Sequence, residues 1–157
     1  MHGSKNYKGA ATGTIAPVGS SITSGTIIDI AAAIPTSAIT TLDAQGRLVI
    51  PGLVDAHLHL DKAFLLDRMQ RQADTFTEAL QETANAKRSF TVADSQTRAR
   101  RVIEPAITFG TTAMRSHVEV DPMIQLTGMK ALLPLRQDHA WGLTLQFAVF
   151  AQEGITN

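Results

Sequence analysis

The sequence contains no cysteine. Disulfide scaffolds, thiolate zinc sites and cysteine nucleophiles are therefore excluded, and a reducing compartment fits. An excess of one charge is missing too: 14 Lys and Arg balance 14 Asp and Glu. That balance offers no electrostatic handle for nucleic acid or an anionic membrane. No apolar run approaches the roughly 18 to 20 residues of a membrane span. The polar start, MHGSKNYKGAATG, lacks the apolar centre of a secretory signal. Neither a Gly-rich phosphate loop nor a Ser-His-Asp arrangement is visible. The expectation is a soluble, cytoplasmic protein without a nucleic-acid or membrane partner.

What remains is an ordinary globular composition, 44% hydrophobic and 18% charged over 157 residues. A chain of this length can bury about 70% of its unfolded surface. Residues 1–49 are rich in Gly, Ala, Ser, Thr and Ile, and pieces such as GTIIDIAAAIP and RLVIPG predict short strands and turns. A turn at Ala44–Gly46 should feed Arg47–Ile50. From residue 50 the pattern changes. Leu53–Leu60 reads as a strand, Thr75–Ser89 as a helix, and Asp94 is placed to cap a helix ending at Phe109 before Gly110. Pro105 should kink or split that helix. Thr112–Val120 reads as a strand, Met123–Asp138 as a helix containing Pro134, and Trp141–Phe150 as another strand. Strand, helices, strand, helix, strand predicts parallel strands with right-handed helical crossovers. The basic run Arg98–Arg101 shares its pattern with Asp94 and Glu104 and reads as a solvated helix face.

Within IPGLVDAHLHLDKAF, residues 50–64, His57 and His59 stand one residue apart. Side chains two apart on a strand share a face, so both imidazoles project together, with Leu58 opposite. Two neutral imidazoles at the carboxyl end of a strand can bind a divalent metal, and parallel α/β folds place their ligands at that end. Two partly buried histidines bonded to backbone groups fit the bare pattern as well.

The longer stretch RLVIPGLVDAHLHLDKAF resembles the start of the barrel in the amidohydrolase superfamily, through Pro51, Gly52, His57 and His59. TTAMRSHVEVDP (111–122) and LQFAVFAQEGI (145–155) resemble the second and third barrel strands of its cytosine deaminase-like branch. The resemblance implies a metal-dependent hydrolase of C–N bonds other than peptide bonds. Its substrate would be cytosine or a related amino-substituted nitrogen heterocycle, and its cofactor one divalent ion, iron or zinc. It also implies that His57 and His59 bind the metal and that Gln152 hydrogen-bonds the amide edge of the substrate; without it, Gln152 is a polar loop residue. His117, on the strand parity of Arg115 and Glu119, reads as a residue behind the ligands or a satisfied structural histidine. Asp61 either orients a ligand or caps the next helix. His139, His2, Glu153 and Gly154 receive no chemical role.

The implied fold class is α/β, a partial (β/α) barrel of about three strands preceded by a small β domain. Residues 1–49 would belong to that composite β-rich domain and 50–157 to the first three β/α units. A complete barrel takes roughly 250 residues and eight strands. The further ligands and the proton-shuttling carboxylate of the family come from later strands, so this chain reads as an N-terminal portion with no catalytic residue of its own. Alternatives are a non-catalytic remnant, a subunit completed by a second chain, or a cyclic-amide hydrolase of the same superfamily. An unpaired third strand predicts association, with a second copy in a homo-oligomer or with a separately encoded remainder.

Overall fold

Ser24 and Gly25 both adopt positive φ, 50° and 75°, the backbone that closes a two-residue hairpin with the right twist. They join β1 (Gly19–Thr23) to β2 (Thr26–Ala31), which pair antiparallel. The computed structural model describes residues 19–34, 38–69, 73–154 and 156. His2 and the rest of the chain before Gly19 lie outside them. Ala44–Gly46 does turn, with Gln45 and Gly46 at positive φ and the Arg47 amide bonded to the Ala44 carbonyl at 2.9 Å. Arg47–Ile50 then forms no strand, against expectation. The chain divides into two units, Met1–Ile50 and Pro51–Asn157.

The second unit is a mixed α/β layer. Its elements are β3 (Leu53–Leu58), α1 (Phe76–Lys87), α2 (Val92–Thr108), β4 (Thr111–Glu119), α3 (Thr127–Asp138) and β5 (Thr144–Phe150). The three strands form a parallel sheet in the order β3-β4-β5. Thr75 and Glu78 close a capping box at the start of α1. The cap of α2 is Thr91, whose hydroxyl accepts the Asp94 amide. Asp94 is therefore the third helical residue rather than the cap, and it pairs with Arg68 and Arg98. Pro105 does not split α2. Gly110, at φ 94°, follows the helix end, and its carbonyl takes the Leu53 amide at 2.9 Å. Gly52 is required by closeness rather than by φ, because a Cβ there would collide with the Thr112 side chain.

Burial separates the two sheet faces. Met114, Ser116 and Val118 on β4 are buried with Leu60, Ala99, Ile103, Leu132, Leu135, Leu143 and Leu145. α2 and α3 pack on this face, where each large aliphatic side chain contributes about 1.5 to 3 kcal/mol. The alternate residues Arg115, His117 and Glu119 lie on the other face, in register with Gln146, Ala148 and Phe150. Among the described residues no helix is long and apolar enough to cross a membrane.

Candidate functional site

His57 and His59 turn to the same side of β3, with ring centroids 5.4 Å apart, while half-buried Leu58 packs against the core. His117 from β4 joins them: its ring lies 4.0 Å from that of His57 and 5.7 Å from that of His59. Phe150 of β5 meets His59 edge-on at 5.5 Å. The structure thus gathers three imidazoles at the carboxyl ends of two adjacent strands.

These rings suit a divalent ion. The Nδ1 atoms of His59 and His117 are buried without a hydrogen-bond partner among the described residues. Burial, followed by the charge of Lys62, lowers the pKa of His59 below the usual imidazole range. That keeps it neutral, which is the ligating form. Two or three imidazoles are the donor set of a zinc or iron site, whose remaining positions go to further ligands and water.

The loop after His59 is fixed from below. Leu60 donates its amide to the Ser116 hydroxyl at 3.1 Å, and Asp61 accepts the Glu119 amide at 3.0 Å. Asp61 is fully buried, and burial raises its pKa despite that amide. It therefore ties β4 to the histidine loop and caps no helix. Arg98 donates to the carbonyls of Asp61 and Ala63 at 2.8 and 2.7 Å, and its guanidinium stacks on Phe90. At 3% exposure Arg98 is no solvated helix face; the loop carbonyls draw it inside.

Beside the histidines runs an ion network that sequence reasoning missed. Lys62 Nζ lies 2.7 Å from a Glu119 carboxylate oxygen and donates to Gln152 Oε1 at 2.7 Å. Lys87 Nζ, at the end of α1, contacts Glu119, Asp121 and Glu153 at 2.6, 2.7 and 2.6 Å. The three carboxylates have oxygens within 4.8 Å of one another, close enough for a metal. An ammonium already sits among them, so Lys87 is the cation of this cage. Glu153 accordingly binds charge rather than merely shaping a loop. His139 is also buried, its Nδ1 at 2.9 Å from the Leu135 carbonyl of α3.

A cleft of about 640 Å³ opens next to His59. Lys62 and Gln152 supply polar edges, and Phe64, Leu66, Phe76 and Leu80 supply apolar walls. Phe64 holds φ at 56°, a strained conformation for a bulky residue, while Arg101 stacks on its ring at 4.0 Å.

Known proteins resemble this chain in sequence and in fold. N-isopropylammelide isopropyl amidohydrolase of Pseudomonas sp. (strain ADP) is 32% identical over 136 residues, 82% of this chain and 33% of that protein. The structure of 5-methylcytosine deaminase from Klebsiella pneumoniae liganded with 5-fluorocytosine superposes with a TM-score of 0.76 at 33% identity, covering 90% of this chain and 35% of that one. At 22% identity, N-isopropylammelide isopropylaminohydrolase from Burkholderia multivorans shares the fold, with a TM-score of 0.68 over 83% of this chain and 33% of that one. The chain spans about a third of the length of these relatives. The amidohydrolase family model matches residues 40–144, more than half of the sequence, and the chain belongs to the amidohydrolase family.

Proposed function

We propose that this chain forms the metal-binding and substrate-facing front of a hydrolase that removes an amine from an amino- or alkylamino-substituted nitrogen heterocycle such as cytosine. The carrying observation is the pair His57 and His59 on one face, with the buried, partnerless Nδ1 of His59 beside a cleft that also holds Gln152. In this reading residues 50–157 are the first three units of a barrel, and residues 1–49 are part of a β-rich domain.

His57 and His59 would hold one zinc or iron ion. When bound, such an ion supplies the Lewis acidity that turns water into a nucleophile near neutral pH. His117 and Asp61 support the pair: His117 stacks on His57, and Asp61 anchors the following loop to the Glu119 amide. Gln152 orients the heterocycle by its amide edge, and the apolar walls shield the ring from water. The cleft's apolar walls suit the flat faces of a heteroaromatic ring, with Lys62 and Gln152 left for its polar edge, consistent with relatives named for 5-methylcytosine and N-isopropylammelide.

The test is metal analysis joined to a substrate panel on the full-length protein. Wild type should carry about one zinc or iron per chain and release ammonia or an alkylamine from the heterocycles. The double variant His57→Ala/His59→Ala should lose both metal and turnover. Full metal retention in that variant rejects the ligand assignment, and ring opening of a cyclic amide without amine release reassigns the reaction.

A further inference from the structure

A carboxamide can offer a substrate its oxygen or its NH2 group, and an ammonium can only donate. Lys62 Nζ donates to Gln152 Oε1 at 2.7 Å, which fixes the oxygen on the lysine side. Lys62 is itself held: Glu119 grips it at 2.7 Å, the Phe150 ring lies 4.9 Å from its Nζ, and its side chain is 9% exposed. Glu119 is fully buried and pinned in turn by Lys87 at 2.6 Å. The chain of contacts from Lys87 through Glu119 to Lys62 leaves the carboxamide one low-energy orientation. Its NH2 group makes no hydrogen bond to any other described residue, and Gln152 and Lys62 both line the cleft beside His59.

We infer that Lys62 is a positioning residue that sets the polarity of Gln152, turning its NH2 group to the cleft so that the site selects heterocycles with a hydrogen-bond acceptor at that edge. The acceptor is a ring carbonyl. An amino group in the same place meets two donors and is rejected. This rests on the substrate contact proposed above for Gln152.

Two probes differ at that edge: cytosine presents a ring carbonyl beside an N1–H, and 2,4-diaminopyrimidine presents an amine beside an unprotonated N1. With the full-length protein, wild type should favour cytosine in kcat/KM by about tenfold or more, since a site built to bond one polarity rejects the other strongly. Lys62→Met frees the carboxamide to rotate and should bring the ratio close to one, mainly by raising KM for cytosine. Lys62→Arg, which keeps a donor, should restore it. Gln152→Glu leaves Lys62 in place and replaces the NH2 with an acceptor, so it should move the preference toward the diamine. Equal loss on both substrates in Lys62→Met, with an unchanged preference in Gln152→Glu, overturns the inference and leaves the amine-releasing reaction standing.

If no form releases ammonia from either probe, the reaction assignment fails instead. The Lys62 role is then decided by the side-chain carbonyl resonance of Gln152 in this chain. A shift between wild type and Lys62→Met supports the lock, and an unmoved resonance overturns it.

Discussion

A guanidinium cannot shed its proton inside a protein, so a buried Arg98 needs acceptors for the N–H groups it brings with it. It finds the carbonyls of Asp61 and Ala63, the Asp94 carboxylate and the Ser95 hydroxyl. Through the first two it holds the loop that begins at His59. Replacing Arg98 by Met removes the donors and leaves two carbonyls unanswered. The expected loss is about 2 to 4 kcal/mol, read as a lower urea midpoint with unchanged slope. A change below about 0.5 kcal/mol, the range of an ordinary surface substitution, means that the loop does not depend on this residue. Gly52 makes a second case at this scale. Alanine there must push against Thr112, at a cost of about 1 to 3 kcal/mol in the same experiment.

At the scale of elements, strand parity explains why part of the site could be read directly. His57 and His59 share a face because adjacent residues on a strand alternate, a rule that needs no knowledge of the rest of the fold. The alternation of strands and helices gave the parallel order for the same local reason. Lys62, Lys87 and Glu153 follow no such period, and the strand parity of Glu119 gives its face but not its partners. Their partners lie 32 to 90 residues away, and they meet only after β3, β4 and β5 are in register. Arg98 escaped for a related cause: its neighbours in sequence are basic, and its acceptors are elsewhere.

The ion cage at the end of α1 makes the element scale testable. Burial pushes the Asp121 pKa up, but Lys87 and the amides of Ile124 and Met123 outweigh it and hold it at about 2. A pKa below the unfolded value stabilises the fold above about pH 4, and that stabilisation is lost as the pH falls through about 2. It amounts to roughly 2 kcal/mol at neutral pH. Asp121→Asn should flatten the stability profile between pH 4 and 2, and an unchanged slope contradicts the assignment. Burial opposes the charge on Lys87, and its three carboxylate partners raise its pKa well above the usual lysine value. Lys87→Met leaves those carboxylates facing one another and should cost about 3 to 5 kcal/mol at pH 7, with a smaller deficit in acid where they protonate.

For the whole second unit, the sheet has a helix-covered face and a face that carries the histidines. The hydrophobic core is confined to the first. Val54 on β3 and Val149 on β5 remain exposed, at 69% and 58%, and each of these strands has one edge unpaired among the described residues. An exposed apolar edge strand is a template for another chain. β5 is the stronger candidate, because its sequence TLQFAVF has no charge to oppose pairing. The chain by itself should therefore associate as its concentration rises, seen as growth of dimers and larger species in sedimentation velocity. Val149→Lys puts a charge on that strand without touching His57, His59 or the Lys62 network. It should shift the distribution toward monomer while leaving the melting temperature within a few degrees of wild type. Association that is indifferent to Val149→Lys, and to an equivalent charge at Val54, would place the contact away from the sheet edges.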